Sequence, residues 1–286
     1  MILTEQILKD NTELKDDAQS AAKNSISFDL SPHEIVENDG HEEFFVIVLQ
    51  VKNDNFKNVI RPSQLQICGK TMQDWVQSAV VNYPVYTLPY DGKSDVLSVV
   101  RPHLRKSKYT AVFYSDTPLL KKETVDEIFT YARSHNICVM KLARGYVFET
   151  EYIKTATNIT ESFIHHFGDD DFFEVSGYQS FCKACEIMKK KIIAYHISRG
   201  VVFYDSTTAY VEADVEIESG TIIEPHVVLC GQTLVGKNCR VGSFCKVVDS
   251  ILCDECWVSS CEIVESKIGK GKTIEPYQRI FKKVIE

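Results

Sequence analysis

Between Gly200 and Ile280, branched aliphatic residues recur every six positions, at Val211, Ile217, Ile223, Leu229, Val235, Val241 and Val247. The residue after each is small or acidic (Glu212, Glu218, Glu224, Cys230, Gly236, Gly242), and the fourth after is small or β-branched (Val215, Thr221, Val227, Thr233, Cys239, Cys245). A period of six matches neither a half-buried strand nor an amphipathic helix. It matches one flat face of a parallel β-helix, in which three faces close a triangular coil and the corner aliphatics stack into a continuous core. A β-sandwich would instead alternate with period two between closely spaced turn signals. After a short slip the phase resumes through Ile251, Trp257 and Ile263, then Ile268, Ile274 and Ile280, giving about four coils.

Upstream the pattern changes. Phe44 to Val51 is a continuously apolar run, the mark of a strand buried on both faces. Helically spaced apolar residues follow over 71–81, then a strand near 85–88, a helix over 94–104 and a strand over 109–114. A helix over 124–132 and a strand over 137–140 continue the series, and Gly145 to Thr150 reads as a strand leading into a short helix at 151–156. Strands alternating with helices imply parallel pairing in a doubly wound sheet, where ligands collect outside the carboxyl ends of the strands. A long helix over 178–198 carries Phe181, Cys185, Met188, Ile192 and Tyr195 on one stripe and Lys189, Lys190 and Lys191 on its solvated side, and stops at Gly200. The expected organisation is an N-terminal helix and linker over 1–40, an α/β domain over 41–199 and a parallel β-helix over 200–286.

The chain has 286 residues, 44% hydrophobic and 25% charged, enough for two cores and too apolar for disorder. A net charge of −8 leaves no basic footprint for a nucleic-acid backbone. No run of eighteen apolar residues exists and the first residues do not read as a signal peptide, so neither a membrane nor an export route is expected and the cytoplasm is the default address. The ten cysteines then read as reduced thiols. Cys182/Cys185 and Cys253/Cys256 have a spacing that suits zinc if brought together, whereas Cys239, Cys245 and Cys261 fall where the repeat wants a small buried side chain. His226, in the repeat, reads as an outward surface histidine. Asp116, just past the strand ending at Tyr114, is placed either to hold a divalent ion against a ligand phosphate or to cap the next turn.

Residues 187–243, from IMKKKIIAYHISRG through HVVLCGQTLVGKNCRVGS, closely resemble a junction in the bifunctional UDP-N-acetylglucosamine pyrophosphorylase/glucosamine-1-phosphate acetyltransferase family. CGKTMQDWVQSAV (68–80), GKSDVLSVV (92–100), YSDTPLLKKETVDEI (114–128) and GYVFETEYI (145–153) agree in order. The resemblance implies a nucleotidyltransferase-like, Rossmann-like α/β domain that joins a sugar 1-phosphate to UTP with Mg²⁺, and a short left-handed parallel β-helix that forms a homotrimer. It places the phosphate-binding loop at Leu49 to Asn58, here without glycine, with Lys52, Lys57 and Arg61 as the available cations. It places the nucleobase contact at Gly92 and Lys93, with Thr87 where the family has glutamine, and the metal ligands at Asp116 and Ser176, the latter an asparagine in the family. The family's sugar-gripping segment between Met140 and Gly145 is essentially absent, and its acetyltransferase residues fall beyond the point matching Pro276 and Tyr277. The expectation is therefore a degenerate nucleotidyltransferase site that serves as a nucleotide or nucleotide-sugar sensor or a scaffold. An active Mg²⁺-dependent enzyme making a nucleotide sugar for the cell envelope is the alternative.

Overall fold

The computed structural model describes residues 42–52, 56, 65–159, 163–164 and 167–286; the helix and linker expected over 1–40, and Lys57 and Arg61, lie outside them. The described residues divide into two compact units, one running to Glu186 and the other from Ile187 to Glu286, so that the division falls within the long helix.

The first unit is built on a six-stranded sheet in which β1 (Glu42–Val51), second from one edge, lies between β4 (Val85–Tyr90) and β5 (Ser107–Tyr114), both parallel to it. Two short strands, β2 (Gln66–Ile67) and β3 (Lys70–Thr71), form a separate hairpin. The apolar run of β1 is explained by cover on both faces. Phe44, Val46 and Val48 pack with Val76 and Ala79 of α1 (Met72–Ala79) and with Val125, Ile128 and Phe129 of α3 (Lys122–Ser134). Phe45, Ile47 and Leu49 point the other way, into Leu97 and Val100 of α2 (Val96–Val100) and Ile153 of α4 (Thr150–Thr155). The α1 N-terminus is fixed by a reciprocal cap between Thr71 and Asp74, and the Trp75 indole donates to the Ile67 carbonyl at 2.8 Å.

Beyond β5 the sheet departs from the doubly wound expectation. β6 (Val139–Leu142) and β7 (Gly145–Glu149) form a hairpin, and β7 lies antiparallel to both β5 and β6. The cause is the length of the link: Ala143 and Arg144 alone join the two strands, enough for a tight turn and far too few for the crossover that parallel strands need. β8 (Phe163–Ile164) completes the edge beside β6, and α5 (Tyr178–Ser198) follows.

The second unit is a parallel β-helix of three five-stranded sheets, five rungs on each face where about four coils were expected. Val211 stacks on Leu229, Val247, Ile263 and Ile280, and Ile217 on Val235, Leu252 and Ile268, all buried. The interleaved Val215, Thr221, Val227, Thr233, Cys239 and Cys245 are buried as the repeat requires. The slip corrects two positions. Leu252, not Ile251, continues the ladder, and Val258 occupies the core while Trp257 faces out with 52% of its surface exposed. The reason is a residue dropped at several corners, where Asp249, Ser260 and Glu265 take left-handed φ of 46–47° to tighten the turn. Cys245 and Cys261 fall on successive coils with their sulfurs 3.7 Å apart in the buried core, which is the packing role. His226 is exposed as expected, on a corner at φ 61°, with its ring stacked 5.1 Å from that of Phe244. Among the described residues no helix is long and apolar enough to cross a membrane.

Candidate functional site

The carboxyl ends of β1, β4 and β5 share one edge of the sheet, with Val51 opposite Tyr90 and Leu49 opposite Tyr114. Because β7 runs antiparallel, its first residue, Gly145, begins at that same edge. The tight β6–β7 turn therefore delivers Arg144 to the place where ligands of such sheets collect. Gly145 makes this approach possible. It sits at φ +137°, and a Cβ on it would lie 2.6 Å from the Val112 carbonyl oxygen of β5.

Asp116 is fixed from both sides. The preceding Ser115 donates its N–H to the Leu49 carbonyl at 2.9 Å and accepts from the Val51 N–H through its hydroxyl at 3.1 Å. The Asp116 carbonyl accepts from the Val175 N–H at 2.8 Å, tying the segment before α5 to the strand end. Its side chain is 4% exposed, and both carboxylate oxygens are taken by one guanidinium: Arg144 Nε donates to Oδ1 at 2.8 Å and Nη2 to Oδ2 at 2.5 Å. The remaining Nη1 faces Glu174 at 3.3 Å, and the guanidinium lies 4.6 Å above the Tyr114 ring. Burial works against the charge on Arg144, yet Asp116 and then Glu174 raise its pKa above the ordinary value. Burial likewise pushes the Tyr114 and Tyr90 phenols upward, with Tyr146 adding to both, so these hydroxyls are neutral at pH 7.

The family's metal can be tested against this arrangement. Mg²⁺ takes hard oxygen ligands in near-octahedral geometry and needs lone pairs turned toward it. Both Asp116 oxygens already accept from Arg144, and the positive charge beside them is a guanidinium. Ser176 is exposed, and its backbone N–H donates to the Ser180 hydroxyl at 3.0 Å in the turn that starts α5. Among the described residues no group of three or more His, Cys, Asp or Glu side chains is arranged to hold a metal ion. The residues present do not fit the ion expected at Asp116 and Ser176.

Gly92 and Lys93 form a surface turn, with Gly92 at φ +77°. The Asp91 carboxylate accepts from the Lys93 N–H at 2.9 Å and from the Ser94 N–H at 2.8 Å, bonds that hold its pKa down to about 2. The Lys93 N–H is thus spent on a local turn. Thr87 accepts from the Gln77 side chain at 3.2 Å, within the sheet-helix layer. Arg144 and Glu174 were not legible as site residues from their local sequence; the shortened Met140–Gly145 link was the one signal that pointed to Arg144.

No protein-family model matches the chain. The bifunctional protein GlmU of Clostridium botulinum (strain Eklund 17B / Type B) is 34% identical over 134 residues, which are 45% of this chain and 30% of the relative. GlmU of Thermoanaerobacter pseudethanolicus is 36% identical over 110 residues, 37% of this chain and 24% of the relative. A solved homologue of Mycobacterium tuberculosis rv0371c from Mycobacterium sp. strain JC1 is 10% identical with a TM-score of 0.38, covering 53% of this chain and 100% of that one, and carries no argument. The chain spans about a quarter to a third of the length of the GlmU proteins it matches. Over these stretches, with a parallel β-helix and an α/β sheet both in place, the chain is similar to the GlmU proteins.

Proposed function

We propose that the α/β unit is a nucleotidyltransferase-type fold that binds a nucleotide or nucleotide sugar without synthesising one, and that the β-helix is a scaffold assembling it as a homotrimer. The observation that carries this reading is the two-residue β6–β7 link. It leaves no segment to grip a sugar and puts Arg144 on the one carboxylate the reaction would need. Nucleotidyl transfer depends on in-line positioning and on neutralising phosphate charge. At this edge the Arg144 guanidinium is held by the Asp116 and Glu174 carboxylates, and the Lys93 N–H is held by Asp91. The trimer reading is supported by outward apolar side chains on one β-helix face, Val202 at 46% and Trp257 at 52% exposure.

The test is pyrophosphate release from UTP and N-acetylglucosamine 1-phosphate with Mg²⁺, run beside a thermal-shift screen of UTP and UDP-sugars. No turnover together with stabilisation by one of these ligands is expected; a ligand at a hundred times its dissociation constant stabilises by about 2.7 kcal/mol. Mg²⁺-dependent pyrophosphate release that disappears in Asp116→Ala would overturn the proposal and establish an active nucleotidyltransferase. Sedimentation of a monomer at micromolar concentration would remove the trimer.

A further inference from the structure

We propose that Arg144 is a resident cation standing where a divalent ion would stand, so that this edge of the sheet is closed to Mg²⁺ and any ligand it takes is bound without metal. The inference rests on the silent-site reading above and extends it to the ion chemistry of the same residues.

Three features of the geometry support it. The contact with Asp116 is bidentate, with Nε and Nη2 each on a separate oxygen at 2.8 and 2.5 Å, so each oxygen already commits a lone pair to the guanidinium. Asp116 is almost fully buried, whereas Arg144 keeps 25% of its side chain in contact with water, so the guanidinium plugs the route by which a hydrated ion would reach the acid. Glu174 approaches the same guanidinium from the outer side at 3.3 Å, so one cation serves two carboxylates. The guanidinium brings one positive charge to those two carboxylates, where a divalent ion would bring two. The pairing follows from topology: the link between β6 and β7 is too short to place its arginine anywhere but at the β5 edge, and Gly145 lets it close against Val112.

The converse is a latent site. Without the guanidinium, the Asp116 and Glu174 carboxylates face one vacated position that is open to water on the Glu174 side, a setting in which a hard cation keeps part of its hydration shell.

The experiment is a Mn²⁺ titration of the full chain, read by the loss of the electron paramagnetic resonance signal of free aqueous Mn²⁺, with no nucleotide present. The wild-type chain is expected to show no saturable binding below about 1 mM, the weak end of carboxylate sites. Arg144→Gln, which keeps the side-chain bulk, and Arg144→Ala are each expected to bind one equivalent at least about tenfold more tightly, and adding Asp116→Asn is expected to abolish it. Circular dichroism of each variant establishes that it is folded. Saturable binding by the wild-type chain that is lost in Asp116→Asn overturns the proposal, and this arm needs no Arg144 variant to fold. Absence of any gain in a folded Arg144 variant overturns the latent site. The two proposals fail separately: a wild-type chain that binds Mn²⁺ at Asp116 yet turns nothing over sinks this one alone, and one that binds no Mn²⁺ yet releases pyrophosphate equally well in the presence of a chelator sinks only the silent-site reading.

Discussion

Arg144→Met keeps most of the side-chain volume over the Tyr114 ring and removes the charge facing Asp116. Asp116 has 4% of its side chain exposed, so its carboxylate would be left without its partner in a largely dry position. Removing one member of a buried pair costs about 3–5 kcal/mol. Arg144 is itself 25% exposed, so water can follow the shortened side chain inward, and the expected loss sits at the lower end, about 3 kcal/mol. Asp116→Asn keeps the shape and one acceptor oxygen for the arginine, and is expected to cost about 2 kcal/mol. If the two groups hold each other, the double variant costs less than the sum, with a coupling of about 2 kcal/mol. Urea unfolding of the four proteins measures this, and the two tryptophans assign it, because Trp75 lies in the α/β unit and Trp257 in the β-helix. A Trp257→Phe background isolates the Trp75 transition. Strictly additive losses, or a shift in the β-helix transition instead, would refute the reasoning.

Gly145→Ala places a Cβ 2.6 Å from the Val112 carbonyl oxygen at a φ of +137°, so it should cost about 2–3 kcal/mol in urea unfolding. Val258→Ala in the β-helix core should lose about 2 kcal/mol in thermal melts, which tests the observed register. His196 is buried with no hydrogen-bond partner on Nδ1, and burial, with Arg199 adding, depresses its pKa from 6.5 to about 4. The folded state therefore favours the neutral ring, and its stability is fully present above pH 6.5 and falls as pH drops toward 4. The loss between pH 7 and pH 5 should be about 2 kcal/mol. His196→Leu should flatten that slope in melts across the range, while Asp205, held down to about 2 first by Thr207, titrates below it.

The β-helix was legible because one residue type in six is forced: a corner that stacks on itself coil after coil accepts only a compact apolar side chain, so the period survives in the sequence. The register after Val247 was misread because a corner can drop a residue by turning more tightly. Ile251 and Trp257 were then assigned to ladder positions that belong to Leu252 and Val258. In the α/β unit, β1 announced itself by being apolar on both faces, and the helices by their period. The direction of β7 was hidden in the shortness of a link rather than in any residue of the strand, and Arg144 was hidden with it. A carboxylate at a strand edge is visible in sequence. The arginine that neutralises it comes from a hairpin tip 28 residues away, and Glu174 from the segment before α5, so neither pairing has a local signature.

The account turns on whether the edge of the sheet works without a metal. The most direct measurement is the thermal shift produced by a UDP-sugar in the presence of Mg²⁺ and again in the presence of a chelator. The account predicts the same stabilisation in both, carried by the protein's own groups. Stabilisation that requires Mg²⁺ and vanishes with the chelator would contradict it, and would return Asp116 to the role of a metal ligand.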